Sequence, residues 1–172
     1  SVLYLVPEVG LSVQLMNRLE HFFGDKMSVY HGKYSSHERV EVWNNVLANK
    51  PKAQFVLGVR AAVCLPFHDL GLVIVDEEHD LSYKQEQTPP RFQVRDTALM
   101  LAHLHGAKTL LGSATPSAES YYNAQVGKYG FVQLLERYTG IQAPTIELVD
   151  LKEKTKKKET QGHFSDTLLA AI

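Results

Sequence analysis

Five short, mostly apolar runs constrain this chain more than any other feature: residues 2–6, 27–30, 54–58, 72–75 and 107–111. Runs apolar on consecutive positions are strands buried on both faces, as in a parallel sheet, because a half-solvated strand would alternate apolar and polar residues. Helical periodicity fills the gaps between them. Leu11, Leu15, Leu19 and Phe22 recur at helical spacing up to Gly24, and Ser35-Ser36 with Glu38 has the form of a capping box. Val40, Val42, Trp43, Val46 and Leu47 then give an apolar stripe, expected in the core, that ends at Pro51. Residues 94–105 and 117–126 read as further helices, the last closed by Gly127. Strand and helix therefore alternate, which predicts an α/β domain built on a parallel sheet with helices on both faces. Residues 131–135 and 145–149 are expected to add edge strands, and the Lys-rich run at 152–159, lacking an apolar period, is expected to be solvated linker.

Composition removes several classes of function. With 18 basic and 19 acidic residues the net charge is −1, so attraction to a polyanion must be local rather than global. The single cysteine, Cys64, excludes an internal disulfide and any multi-cysteine zinc site; in its apolar stretch it is expected to be a small buried hydrophobe. No apolar run approaches the roughly 20 residues of a membrane-spanning helix, and no charged-then-apolar leader opens the chain, so a soluble cytoplasmic protein with no membrane partner is expected. His103 and His105, two apart, fall on different helix faces and do not pair for a metal.

In a doubly wound sheet, chemistry gathers at the carboxyl ends of the strands. After the run 72–75 stands Asp76-Glu77-Glu78-His79, three carboxylates at the rim of a dry core. One carboxylate there can hold Mg²⁺ through its water shell and a second can orient and deprotonate water for attack on a phosphoryl group, roles that fall to Asp76 and Glu77. Taken alone, an acidic triplet reads more readily as a solvated turn. After the run 107–111 stands Gly112-Ser113-Ala114-Thr115-Pro116, whose hydroxyls can cap the next helix or bond a neighbouring His79.

Acidic box and hydroxyl turn, some thirty residues apart, together resemble motifs II and III of superfamily 2 helicases. Val6-Pro7-Glu8-Val9-Gly10-Leu11 resembles motif Ia of one branch, the bacterial replication-restart helicases of the PriA (primosomal protein N′) family. The stretches 58–67, 76–85 and Pro90-Arg91-Phe92-x-x-Arg95-Asp96 resemble the same family, with Val59, Ala61 and Cys64 departing from its pattern. The resemblance covers roughly residues 2–150 and implies a RecA-like sheet of the P-loop NTPase class. It makes residues 1–150 a first helicase lobe, from motif Ia through motif III, with 151–172 leading toward a second lobe. No Gly-x-x-x-x-Gly-Lys-[Ser/Thr] occurs in the sequence; in the family that phosphate-cradling loop precedes motif Ia, so the chain reads as a fragment expected to lack ATPase activity alone.

The resemblance further implies ATP and Mg²⁺ as the parent's cofactors, and zinc elsewhere in the parent with no zinc site in this chain. Asp76, Glu77 and His79 are implied as catalytic, with Ser113 and Thr115 linking nucleotide state to the strand ends. The implied partners are single-stranded and forked DNA, primosome proteins and single-stranded DNA-binding protein, in a 3′-to-5′ helicase that restarts stalled forks. DNA contact is implied at Pro7, Glu8, Gly10, Arg60, Tyr83, Lys84, Arg91 and Phe92. The stretch 83–92 interleaves aromatics and cations, which suits stacking on single strands, while Tyr83 and Phe92 can equally anchor a surface loop to the core. A non-catalytic DNA- or protein-binding module remains the alternative reading.

Overall fold

The computed structural model describes residues 1–8, 13–87, 89–136 and 145–171. Its contacts divide the chain into two compact units, 1–130 and 131–172.

The first unit is built on five parallel strands: β1 (Val2–Leu5), β2 (Met27–Tyr30), β3 (Phe55–Gly58), β4 (Leu72–Val75) and β7 (Lys108–Leu111), in the spatial order β2-β3-β1-β4-β7. All four ladders are parallel, and Leu5 pairs with Gly58 on one side and Val75 on the other, while Val75 pairs with Leu111. The chain therefore delivers the ends of β1, β3, β4 and β7 side by side at one edge.

Alternate residues of the strands feed two cores. Leu3, Leu5, Val56, Val73 and Val75 pack with Val42 and Val46 of α2 (Ser36–Leu47) and with Val94, Ala98 and Ala102 of α3 (Val94–His105). On the opposite face Val6, Phe55 and Leu57 pack with Leu15, Met16 and Leu19 of α1 (Val13–Phe23). Helices on both faces are thus present, as the buried strands require.

Local chemistry explains the helix ends. Ser35 closes a full capping box with Glu38 at the start of α2, and α3 stops at Gly106, which takes the left-handed conformation at φ +64°. Asp80 caps a short 3-10 turn at Leu81–Tyr83, which leads into a small antiparallel hairpin, β5 (Lys84–Gln85) with β6 (Phe92–Gln93). Ser117 caps α4 (Ala118–Gln125).

Several expectations are corrected. Trp43 is 41% exposed, as α2 carries two apolar stripes and the one through Val42 and Val46, with Asn45 between them, faces the sheet. Cys64 is exposed at the end of the 3-10 turn Arg60–Cys64, where Ala62 and Val63 take the inward positions. Residues 131–135 and 145–149 are not strands; Val132, Leu134 and Leu148 are more than four-fifths exposed, with no ladder beside them.

In the second unit the Lys-rich run begins with a helix, α5 (Leu151–Lys156). Asp150 Oδ1 accepts from the backbone N–H groups of Lys152 and Glu153, and Lys157 pairs with Glu153 at 2.6 Å, so the helix carries a cap and an ion pair and buries no residue. A two-residue hairpin, β8 (Thr160–Gln161) with β9 (Phe164–Ser165), and α6 (Asp166–Ala171) follow.

Candidate active site at the carboxyl edge of the sheet

Pairing of Val75 with Leu111 brings the residues after β4 and β7 together. Asp76 N donates to Leu5 O at 2.9 Å and Glu78 N donates to Gly112 O at 3.0 Å, so the acidic turn is stitched to β1 on one side and to the hydroxyl turn on the other. Gly112 lies close to the acidic turn: a Cβ there would stand 3.4 Å from Asp76 Oδ1, in van der Waals contact.

Asp76 is half-buried and both its oxygens are held, Oδ1 by the Glu77 N–H at 3.0 Å and Oδ2 by the Tyr4 hydroxyl at 2.9 Å. Burial and the bond to Asp76 push the Tyr4 phenol up to about 12, so it stays a donor. Glu77 is exposed and adopts φ +47°, a left-handed conformation that an L-residue occupies only when its surroundings enforce it. His79 Nδ1 lies 2.7 Å from Ser113 Oγ, its Nε2 lies 3.2 Å from Thr115 Oγ1, and Glu77 Oε2 is 3.6 Å from Nδ1. The two turns are therefore joined through the imidazole.

Glu78 does something different from its neighbours. It is 1% exposed, and its carboxylate accepts from Ser117 N (2.7 Å), Ser117 Oγ (3.0 Å), Ser120 Oγ (3.0 Å) and Arg95 Nη1 (3.1 Å). Burial alone would raise its pKa, but these bonds outweigh burial and hold the carboxyl below its ordinary value. Tyr4, Glu78, Arg95, Ser117 and Ser120 were not among the expected site residues. Nothing in the sequence separates Glu78 from the two carboxylates before it.

The residues expected to meet DNA divide in two. Tyr83 is 1% exposed and its hydroxyl donates to Asp76 O at 2.8 Å, so its ring is core and cannot stack on a base. Phe92 is half-buried against the same core, and Pro7 is buried. Tyr83 is therefore corrected from a stacking residue to an anchor, because a loop leaving a buried strand needs apolar side chains to pin it, while DNA contact at Pro7 and Phe92 remains a proposal. Arg91 and Glu8 are exposed, and Lys84 is exposed and paired with Glu86 at 2.6 Å. Arg60 donates from Nη1 to Ser82 O at 3.1 Å, which fastens the turn after β3 to the turn after β4. Gly10 lies outside the described residues.

Residues 1–124 match the family model described as DEAD/DEAH box helicase. The chain belongs to this family. It is 39% identical over 172 residues to the replication restart protein PriA of Chlamydia trachomatis serovar D, which takes in all of this chain and 23% of that protein. To the PriA proteins of Rickettsia felis and Bacillus subtilis strain 168 it is 38% identical, over 173 and 156 residues, covering 100% and 91% of this chain and 26% and 19% of theirs. The chain thus spans about a quarter or less of the length of the curated relatives it matches.

A DEAD/DEAH helicase domain implies use of a nucleotide and Mg²⁺ in general. Among the described residues no three His, Cys, Asp or Glu side chains cluster to hold a metal by themselves. The single carboxylate of Asp76 at the strand end fits Mg²⁺, which keeps most of its water and is held through one or two carboxylates and substrate phosphates. Among the same residues no helix is long and apolar enough to cross a membrane.

Proposed function

We propose that this chain is part of the first motor lobe of an ATP-dependent, 3′-to-5′ DNA helicase that restarts stalled replication forks. The observation that carries the proposal is the joined pair of turns: Asp76 and Glu77 at the end of β4, bonded through His79 to Ser113 and Thr115 at the end of β7. Similarity to replication restart proteins supports the restart role; polarity, a cytoplasmic location and assembly with primosome and single-stranded DNA-binding proteins are part of the same proposal. We likewise take residues 1–150 as belonging to that lobe and 151–172 as leading out of it.

The chemistry assigned to the site is division of labour between two carboxylates. Asp76, oriented by Tyr4 and by the Glu77 N–H, would hold Mg²⁺ through its water; the bound ion supplies neutralisation of phosphate charge. Glu77, exposed and projected by its left-handed backbone, orients and deprotonates the attacking water. His79 carries any displacement of the Ser113–Thr115 turn to Glu77, 3.6 Å from its Nδ1. Single-stranded DNA is contacted by the exposed cations Arg91 and Lys84 rather than by Tyr83, with Glu8 and Arg60 at neighbouring strand ends and Gly10 retained from the family resemblance.

The test is Glu77→Gln in the full-length protein. Removal of a general base is worth about 10²–10⁴ in rate, so hydrolysis should collapse while binding of a fluorescent nucleotide is retained. Wild-type turnover in that variant would remove the assignment. No turnover by the unaltered full-length protein, with DNA binding intact, would establish a non-catalytic binding module instead.

A further inference from the structure

Between the acidic turn and its two flanking helices lies a buried polar node that the reaction as proposed does not use. Its centre is Glu78, whose two oxygens take four donors. Arg95, on the first turn of α3 and with its side chain 10% exposed, reaches Glu78 at 3.1 Å and Ser117 Oγ at 2.6 Å, while its Nε donates to Asp96 at 2.9 Å. Glu119 stands 3.8 Å from the same guanidinium. Ser117 and Ser120 belong to the start of α4, directly after the turn that bonds His79. Three segments thus converge on one carboxylate: the acidic turn, the helix that follows the β5–β6 hairpin, and the helix that follows the hydroxyl turn.

Stability alone is a poor reason for such a node. Two charges taken out of water lose hydration that their attraction only partly returns, and apolar side chains of similar volume often serve as well or better. A requirement for exact placement is a better reason, and Glu77 has one. Its φ of +47° lies where an L-residue is strained, so the backbone on both sides must hold it there. On the amino side the Asp76 carboxylate accepts from the Glu77 N–H, and on the carboxyl side Asp80 N donates to Glu77 O at 2.8 Å while Glu78 N is bonded to Gly112 O. The Glu78 side chain adds bonds from that second half to Ser117, Ser120 and Arg95.

We propose that Glu78 and Arg95 are positioning residues for hydrolysis: their buried pair fixes the strained backbone of Glu77 and ties it to the helices behind the hairpin and behind the Ser113–Thr115 turn. Neither touches the reacting atoms. The inference rests on the assignment of Glu77 as the water-orienting base.

The experiment uses the full-length protein and five variants beside the parent, two of them the single substitutions Glu78→Met and Arg95→Met. Glu78→Asp keeps the charge and withdraws it by one methylene; Arg95→Lys keeps the charge and loses the fork; Glu78→Met with Arg95→Met removes both charges and fills the space. Melting temperature, affinity for a fluorescent nucleotide, and kcat and KM for nucleotide hydrolysis are read for each. A displacement of catalytic groups by about 1 Å costs on the order of 100-fold in rate. We therefore expect kcat to fall at least tenfold in the doubly substituted protein while KM and nucleotide affinity stay within about twofold and the melting temperature recovers most of what either Met substitution alone removes. The charge-conserving variants should lower kcat at nearly parental melting temperature. If kcat instead follows melting temperature through the series, so that every variant of parental stability has parental kcat, the node is structural and the proposal is overturned. Should the doubly Met-substituted protein fail to fold, the two charge-conserving variants decide in the same terms. Glu77→Gln run alongside separates the two readings: if it hydrolyses normally the base assignment fails and takes this inference with it, whereas an inactive Glu77→Gln beside fully active Glu78 and Arg95 variants defeats the positioning role alone.

Discussion

Tyr83 offers a direct test of whether the aromatic after the acidic turn belongs to the core or to a nucleic-acid interface. Its ring is 1% exposed within the core cluster, and its hydroxyl donates to Asp76 O at 2.8 Å. Burial, reinforced by the nearby Asp76 and Asp80 carboxylates, holds the phenol far above its ordinary value, so it remains a donor at every working pH. Tyr83→Phe removes one hydrogen bond to a carbonyl and keeps the packing, which should lower stability by about 0.5–1.5 kcal/mol. Tyr83→Ala removes a buried ring and leaves a cavity; large aromatic truncations of this kind cost about 3–5 kcal/mol. Against a total of about 5–15 kcal/mol for a domain, the Ala variant should stand near the edge of folding. Urea unfolding of this chain, followed by circular dichroism, gives both values on one scale. A loss below about 1 kcal/mol for Tyr83→Ala would mean that the ring is not packed as described, and a role in stacking on DNA would return.

Three further outcomes follow from single contacts. Tyr4→Phe should weaken Mg²⁺-dependent binding of a fluorescent nucleotide by the full-length protein by about threefold or more, because one Asp76 oxygen loses a charge-assisted bond; an unchanged Mg²⁺ midpoint would refute the orienting role. Arg91→Ala should reduce the slope of log K against log salt for single-stranded DNA by about 0.7, the share of one phosphate contact; an unchanged slope would take Arg91 off the DNA. In the second unit, Lys154 is held above its ordinary value by Glu159 and Asp166, and Asp166 is held below its own by Lys154. Stability from this exposed cluster should be full between about pH 4 and pH 10, lost as pH falls through the lowered Asp166 value or rises through the raised Lys154 value, and weakened by salt. Amide-proton signals of Thr160 and Ser165 that are identical at pH 3 and pH 6 would contradict it.

The sheet was legible because its signal is redundant. Each apolar run needs two covered faces, each is followed by a turn residue or a cap, and the five runs recur as β1, β2, β3, β4 and β7 in parallel. What was not legible depends on choices between equal local options. The helix α2 has apolar residues in two stripes, and nothing in the sequence says that Val42 and Val46, with polar Asn45 between them, win the sheet over Val40, Trp43 and Leu47. The second unit failed in the other direction: a helix of six residues set by the Asp150 cap and a Glu153–Lys157 pair has no hydrophobic period to detect.

The site shows the same division at the scale of single side chains. Asp76, Glu77 and His79 could be placed because a charge at the end of a buried strand has one rim to occupy, and Ser113 and Thr115 because their strand is its neighbour. Tyr83 was misplaced because alternation of aromatics and cations looks alike whether the rings face a base or a core; the deciding fact is the 3-10 turn at Leu81–Tyr83, which rolls the ring back under Asp76. Glu78 was hidden for a related reason. In a sequence three adjacent carboxylates look like one acidic surface, yet the backbone reversal at Glu77, with φ +47°, sends the third inward to meet Arg95 seventeen residues away. The same reversal that exposes the proposed base therefore buries its neighbour, and a substitution that relaxed φ at Glu77 would have to disturb both groups at once.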